Sequence, residues 1–371
     1  MKKIHPIRLL VKTTLIFLLA NLLFALWNPP VEQISGYNSI FPGRTRFPFP
    51  EGERTVSIDN LDALFASHVI SMPKEQNEFR VVIIGDSSIW GDTIESDQTL
   101  SARLNELQFE CSEKNIRFYN LGFPHLAIVK DLLFLDKAME YHPDMVIWVF
   151  TLRTLLPKSP NPFLVENSEH IYSLIKQYDL VYPHEELVLE EETLYEKTFF
   201  GQREELARLI LLQALGAVTT GTESDRSPVF RPTGTPEIEY QPLPNDVRDS
   251  ISYLGLEEPG DISSLIWLDH FQAGEAIAGD IPILFVNQPM FIASGENSHL
   301  RYNQAYPRWA YDRYRQIMFE QADTYERTYN DLWDAIPPGY FTDDIFHLTP
   351  EGERLMAEAL YPDIGELICG R

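Results

Sequence analysis

The chain is 371 residues long and 44% of them are hydrophobic, enough for one large packed domain or two modest ones. Its formal net charge of -25 argues against a nucleic-acid partner, because phosphate binding needs a basic surface. Only two cysteines occur, Cys111 and Cys369, and their spacing suits no metal site. They are either unlinked thiols or a disulfide formed in an oxidising compartment, and spacing alone does not decide between these.

The first 30 residues predict a cytoplasmic basic tail and a transmembrane signal anchor. Four of the first twelve residues are Lys or Arg, the first acidic residue is Glu32, and residues 13–27 carry no charge. Adding residues 7–11 gives roughly 20 apolar positions, enough to cross a bilayer if Lys12 snorkels. The positive-inside rule keeps the tail in the cytoplasm and places the main domain outside. A cleaved signal peptide is the alternative, although no clear cleavage site follows the apolar run.

After the anchor, residues 31–54 are rich in Pro, Gly and Arg, which predicts an extended linker before a domain over 55–371. Short apolar runs then predict buried parallel strands. These runs are 81–84, 116–121, 145–150 and 283–286. Helical patterns separate the first three, and this alternation predicts an α/β fold with a flavodoxin-like, doubly wound parallel sheet.

Residues 155–265 break this alternation and predict an inserted segment of helices and loops. It contains acidic stretches, a loop-like run and an apolar helical stretch over 207–218. That stretch is too short to span a bilayer. It is either a core or capping helix, or a helix that docks on the membrane surface or covers the active site.

Two short motifs at opposite ends of the domain suggest nucleophilic catalysis. Ser87 ends the sequence Gly-Asp-Ser directly after the first predicted strand, where a serine stands clear of the sheet edge. The ordinary alternative is a small polar helix cap. Near the C-terminus, Asp344 precedes His347 by three residues and can fold back to orient the imidazole as a base. The adjacent Asp343 could compete for this position.

These motifs resemble the SGNH/GDSL hydrolase superfamily. Gly85-Asp86-Ser87 with Gly91 resembles its first block, residues 119–124 (YNLGFP) its second, and Asp344-x-x-His347 its last. The resemblance implies a three-layer sandwich with Ser87 as nucleophile, His347 as base and Asp344 as the orienting acid. It also implies that the backbone N–H groups of Ser87 and Gly122 form an oxyanion hole. No metal or organic cofactor is needed for this chemistry.

One family feature is missing from the turn after the third strand. The family carries an Asn there that completes the oxyanion hole, whereas this chain has Thr151-Leu152-Arg153. Thr151 or Arg153 could replace it as a donor. Losing one such donor typically costs about a hundredfold or more in rate.

The segment over residues 285–316 concentrates Asn, Arg, Tyr and Trp after the fourth strand. Aromatic faces stack on sugars while amides and guanidinium groups bond hydroxyls, so Asn287, Arg301 and Trp309 are predicted to contact a glycan or glycolipid. The alternative is an intramolecular polar network that braces a long loop.

Together these patterns predict a single-pass membrane-anchored serine esterase, acyl hydrolase or O-acyltransferase whose domain lies outside the cytoplasm. Its substrate would be an ester on a cell-envelope glycan or lipid, and the resemblance permits a membrane O-acyltransferase as partner. Hydrolysis and transfer share one acyl-enzyme, so the sequence does not separate them. The alternative is a non-catalytic envelope protein that uses the same scaffold to bind a glycan or a partner.

Overall fold

The computed structural model describes residues 5–36, 43–48, 59–109, 114–158, 161–182, 193–222 and 243–370. A parallel five-stranded sheet forms the centre of this part of the chain. Its strands are β1 (Glu78–Gly85), β2 (Asn115–Gly122), β3 (Met145–Phe150), β4 (Ile283–Asn287) and β5 (Thr328–Asp331). Their order, β2-β1-β3-β4-β5, is the flavodoxin-like order. The predicted fold class is confirmed, as are the four predicted strands.

Helices cover both faces of the sheet. The helices of the described residues are α1 (Pro6–Trp27), α2 (Leu61–Ser67), α3 (Ser87–Trp90), α4 (Leu100–Glu106), α5 (Ile128–Met139), α6 (Pro162–Glu166), α7 (Ser168–Tyr178), α8 (Arg203–Thr222), α9 (Asp269–Ala278), α10 (Arg308–Thr324) and α11 (Pro350–Cys369). Helix α1 contributes no side chain to the core on either face of the sheet. Alternate residues of β1 enter different cores, because successive strand side chains point to opposite faces. Val82 and Ile84 pack with α5, α9 and α10, while Val81 and Ile83 pack with α3, α4 and α11. This is the predicted three-layer sandwich.

Strand β5 was not predicted from the sequence. It is short, lies at the edge of the sheet, and its residues are exposed or half-buried. Its sequence, Thr-Tyr-Asn-Asp, therefore lacks the continuous apolar run that marks a buried parallel strand.

Part of the predicted linker belongs to the folded domain, which corrects the prediction of an extended linker over 31–54. Residues 43–48 run along the domain, and the backbone of Arg44 bonds Ser67 O and Val69 N at 3.1 and 2.7 Å. Arg46 and Phe47 are only 2% and 1% exposed. Burial of a charged and an aromatic side chain fixes this stretch in place. Residues 37–42 and 49–58 lie outside the described part.

The predicted insertion over 155–265 contributes helices to the domain in its described parts. Helix α7 places Ile171, Leu174 and Ile175 in the core on the α5 side of the sheet. Helix α8 extends beyond the predicted 207–218 and packs Leu209 and Leu212 against α2. The insertion is therefore partly a structural layer of the domain.

Helix α1 is long and apolar enough to cross a membrane. It has 22 residues, a mean hydropathy of 2.2 in its most apolar window, and few buried side chains. At the other end of the chain Cys369, the last residue of α11, is disulfide-bonded. The only other cysteine of the sequence, Cys111, lies outside the described residues.

Candidate active site

The turn between β1 and α3 presents Ser87 at the carboxyl end of the sheet. Asp86 caps the short helix, since its Oδ1 accepts a hydrogen bond from Ser88 N at 2.9 Å. Gly85 lets α3 pack tightly, because a Cβ there would lie 2.5 Å from the Ile89 side chain. A small residue and a capping aspartate before the serine are thus what this tight turn requires.

His347 joins the two distant motifs in space. Ser87 Oγ lies 2.9 Å from His347 Nε2, and His347 Nδ1 lies 3.0 Å from Asp343 Oδ1. Thr342 holds the loop closed, as its N–H donates to His347 O at 2.9 Å. In the tautomer that satisfies both side-chain contacts, Nδ1–H donates to Asp343 and Nε2 accepts the Ser87 hydroxyl proton. This is the geometry of a serine nucleophile, a general base and an orienting carboxylate.

The carboxylate in this row is Asp343, which corrects the prediction of Asp344. The Asp344 side chain folds back on its own loop, where Oδ1 accepts a hydrogen bond from Phe346 N at 3.2 Å. Aspartate commonly bonds the backbone two residues ahead in a turn. The Asp344 carboxylate therefore bonds within its own loop, and the Asp343 carboxylate faces the imidazole.

Charges around His347 favour its protonated form. Burial lowers the pKa of His347, but the hydrogen bond to Asp343 and the nearby charges of Asp344 and Asp92 outweigh burial and leave it raised above 6.5. The same hydrogen bond lowers the pKa of Asp343 to about 2. An imidazolium formed during proton transfer would be stabilised by this cluster of carboxylates.

Two of the predicted oxyanion donors are already engaged. Gly122 N donates to Asn120 Oδ1 at 3.0 Å, and Thr151 N donates to Thr154 Oγ1 at 3.3 Å. The Thr151 hydroxyl lies 3.2 Å from Tyr306 Oη. The Gly122 contact corrects the prediction that this N–H is a free oxyanion donor. Either hydroxyl can donate in the Thr151–Tyr306 pair, so Thr151 as an oxyanion donor stays a prediction.

Gly122 has a different role in the structure. A Cβ at this position would lie 2.3 Å from Trp90 N and 2.7 Å from the Ile89 carbonyl carbon. Asn120 strengthens the same contact by donating to Ile89 O at 2.6 Å. The absence of a side chain therefore lets β2 support the helix that carries Ser87.

Other polar groups near the turn keep donor capacity. The Ser87 N–H makes no hydrogen bond within the described residues, and Arg153 is half-buried beyond β3. Gln288, directly after β4, accepts from Ser88 Oγ at 2.5 Å, while its buried Nε2 has no described partner. Sequence reasoning missed Gln288, although a polar residue directly after a buried strand could have indicated it. Ser87 N–H and Arg153 as oxyanion donors stay predictions.

The three predicted substrate contacts lie inside an intramolecular network. Asn287 is fully buried and donates to Asp331 Oδ1 at 2.7 Å. Arg301 is fully buried and donates to the Ser250 carbonyl at 2.7 Å, and Trp309 Nε1 donates to the Ile251 carbonyl at 2.7 Å. These contacts correct the prediction of glycan binding and match the alternative of a braced loop.

Two buried cations bond the turn that carries Ser87, and neither was predicted. Arg46 donates to the carbonyls of Trp90, Gly91 and Ile94 at 3.3, 2.8 and 3.1 Å, and its guanidinium lies 4.2 Å from the Trp90 ring centre. Lys130 donates to Gly85 O at 2.6 Å. Arg46 was missed because it lies in the stretch that was predicted to be a linker. Lys130 was missed because the amphipathic pattern of α5 gives no reason to expect a buried lysine.

Among the described residues, no group of three or more His, Cys, Asp or Glu side chains could hold a metal ion. The groups that meet at this site are a hydroxyl, an imidazole, a carboxylate and amide N–H donors. An imidazole can take a proton from a hydroxyl, the hydroxyl oxygen can then form an ester, and amide N–H groups can stabilise an oxyanion.

The sequence matched no family model and no curated protein. Similar solved structures include a carbohydrate acetylesterase family member from Sinorhizobium meliloti, at 12% identity and a TM-score of 0.32 over 79% of this chain and 100% of that one. A protein described as lipolytic and of the G-D-S-L family, from Desulfitobacterium hafniense, has 12% identity and a TM-score of 0.34 over 78% and 99%. The inhibitor-bound aryl esterase of M. smegmatis has 11% identity and a TM-score of 0.34 over 78% and 99%.

Proposed function

We propose that this protein is a serine esterase or acyl transferase that works through Ser87, His347 and Asp343. The observation that carries the proposal is the unbroken row of contacts, 2.9 Å from Ser87 Oγ to His347 Nε2 and 3.0 Å from His347 Nδ1 to Asp343 Oδ1. These residues come from elements 260 positions apart in sequence. The His347 side chain is only 12% exposed, and both of its ring nitrogens are engaged in this row of contacts.

In the proposed reaction, His347 Nε2 takes the proton from Ser87 Oγ as this oxygen attacks the ester carbonyl. The tetrahedral oxyanion is stabilised by the Ser87 N–H, with the Gln288 amide or Arg153 as further candidate donors. His347 then gives the proton to the leaving alkoxide, and an acyl-serine remains. Water or an acceptor hydroxyl, deprotonated by His347, attacks this ester, releases the acyl group and restores Ser87. Asp343 keeps Nδ1 protonated throughout.

The proposed setting is the outer side of a cell membrane, with α1 as an uncleaved anchor. Support comes from the length and apolar character of α1 and from the basic residues that precede it. A glycan or lipid ester of the cell envelope would be within reach of a domain tethered there. A membrane O-acyltransferase is a fitting partner for such a domain, because an acyl-serine can pass its acyl group to a sugar hydroxyl.

A fluorophosphonate probe, which reacts with activated serines, tests the enzymatic proposal directly. The full-length protein in detergent should be labelled, and both Ser87→Ala and His347→Ala should abolish labelling. Ser88→Ala is the matched control and should keep labelling, since Ser88 Oγ bonds Gln288 and not the imidazole. Labelling that survives in Ser87→Ala, or that disappears only in Ser88→Ala, would refute the assignment.

A non-catalytic glycan-binding or partner-binding role is the second candidate. It is favoured by the occupied N–H of Gly122, which leaves the oxyanion hole less complete than the family resemblance implies. The same probe separates the two. A cooperatively folded protein that the probe does not label at all would support the binding role.

A further inference from the structure

The segment over residues 193–201 concentrates apolar side chains on the surface of the protein. Leu194, Tyr195, Phe199 and Phe200 are 59%, 57%, 53% and 47% exposed. Four large exposed apolar side chains within seven residues form a patch that water does not favour, and such patches mark contacts with lipid or protein. Hereafter residues 193–201 are called the apolar turn.

The apolar turn packs against α1, the helix that is apolar enough to cross a membrane. The Phe200 ring lies 6.2 Å from that of Phe17, and the Phe199 ring lies 5.7 Å from that of Phe24, both edge to face. Asn21 lies between these two positions, and its Oδ1 accepts a hydrogen bond from Phe200 N at 2.9 Å. The only residues of α1 that become buried are Asn21 and Ala25.

These contacts set the depth of the apolar turn relative to the anchor. Helix α1 ends at Trp27, so Phe24 lies about 5 Å and Phe17 about 15 Å below that end at 1.5 Å per residue. The hydrocarbon core of a bilayer is about 30 Å thick. If α1 spans the bilayer, a segment that touches Phe17 and Phe24 must lie within the half on the domain's side.

Six of the nine backbone N–H groups of the apolar turn are hydrogen-bonded within the protein. Irregular backbone at membrane depth is tolerated only if its polar groups are paired within the protein. Here the N–H groups of Glu196, Lys197, Thr198, Gly201 and Gln202 all bond oxygen atoms of Thr193, Tyr195 or Thr198. The N–H of Phe200 donates to Asn21 Oδ1, so α1 supplies the acceptor for this group.

We propose that residues 193–201 insert into the bilayer beside α1 and form a second, lipid-contacting attachment of the domain. The charges of Glu196 and Lys197 limit the depth, because a charged side chain is strongly disfavoured at the centre of a bilayer. Attachment through both α1 and the apolar turn would fix the orientation of the domain above the membrane. Attachment through α1 alone, followed by a short connection, would let the domain rotate. The inference rests on the membrane anchor proposed above, and the commitment is to lipid as the occupant.

Depth-dependent fluorescence quenching tests this proposal on the full chain in phosphatidylcholine liposomes. Cys369 is disulfide-bonded and the described residues hold no free cysteine, so an introduced cysteine can carry an environment-sensitive label. The labelled sites are Phe199→Cys in the apolar turn, Leu23→Cys on the exposed side of α1, and Leu254→Cys as control. Leu254 is 59% exposed on the domain, close to the 53% of Phe199.

With spin-labelled acyl chains in the liposomes, the label at position 199 should lose emission to the same degree as that at position 23. The label at position 254 should keep its emission. Quenching at 23 but not at 199 would overturn this inference and leave the anchor intact. No quenching at either position would remove the anchor and the inference together, whereas labelling of Ser87 by the fluorophosphonate would be unaffected.

Asn21 offers a second test. Asn21→Leu removes the acceptor for Phe200 N, so the apolar turn would carry an unpaired N–H into lipid and should leave the bilayer. Quenching at position 199 should then fall to the level of position 254 while quenching at 23 persists. Thr14→Leu is the control, because it also replaces a polar residue of α1 by leucine, at an exposed site away from the turn. Unchanged quenching at 199 in Asn21→Leu would contradict the role of Asn21.

Discussion

The choice between two adjacent aspartates is the sharpest test of the site. Asp343→Asn removes the carboxylate that bonds His347 Nδ1 at 3.0 Å, whereas Asp344→Asn changes a side chain that bonds only Phe346 N. An asparagine at 343 can also present its amide N–H to Nδ1 and favour the wrong tautomer of the imidazole. The first substitution should therefore be much more harmful than the second.

The expected magnitude follows from the exposure of Asp343. Its side chain is 60% exposed, so its Coulomb attraction to an imidazolium is close to the value in water, about 1 kcal/mol. The charge-assisted hydrogen bond adds about 1.5–3 kcal/mol. A total of about 2.5–4 kcal/mol corresponds to a kcat roughly 70- to 900-fold lower. This is less than the roughly 10⁴-fold loss known for a buried triad aspartate.

Hydrolysis of a chromogenic acetate ester by the full-length protein in detergent provides the assay, with Ser87→Ala as the background. Asp344→Asn should lose about tenfold or less, since only a screened charge near His347 is removed. A larger loss in Asp344→Asn than in Asp343→Asn would refute the assignment of Asp343. Equal, small losses in both would show that the imidazole is oriented by its loop alone.

Three further outcomes are expected. Because the pKa of His347 is raised above 6.5 and the base must be neutral, kcat/KM should fall on the acid side with an apparent pKa above 6.5, measurable from a pH profile. Gly122→Ala should lower kcat about a hundredfold, because its Cβ, 2.3 Å from a backbone nitrogen of α3, displaces the nucleophile. Gly339→Ala, with nothing within 4 Å, should leave kcat unchanged. Arg46→Met should lower the free energy of urea unfolding by about 3 kcal/mol or more, while the exposed Arg354→Met changes it by less than about 1 kcal/mol.

The candidate site was predictable where its residues follow from local rules. Ser87 comes after an apolar run and an Asp that caps, so its place at the strand end can be read directly. His347 lies just before Thr349, which caps the last helix of the domain. The choice of Asp343 over Asp344 was not predictable, because both lie on the same short loop and only the path of that loop decides which one faces the ring.

The structure also reassigned polar residues whose types had suggested ligand binding. The side chains of Asn287, Arg301 and Trp309 are of types that are common in glycan-binding sites. The same residue types also occur in networks within a protein, so the type alone does not show which of the two is formed. What decides the matter is the helix that begins at Arg308, whose Tyr311 and Tyr314 approach Asn287. Amino-acid composition does not show whether a polar side chain bonds a ligand or another residue of the protein.

The sequence by itself determined four of the five strands, the alternation of strands and helices, and the position of Ser87, because strand burial, helix periodicity and capping depend on neighbours along the chain. Only the tertiary structure decided which carboxylate contacts His347, that Arg46 and Lys130 bond the turn that carries Ser87, and that residues 199 and 200 meet α1. These contacts join residues that are distant in sequence or compete within one loop. Their energies depend on distances and burial that no local pattern encodes.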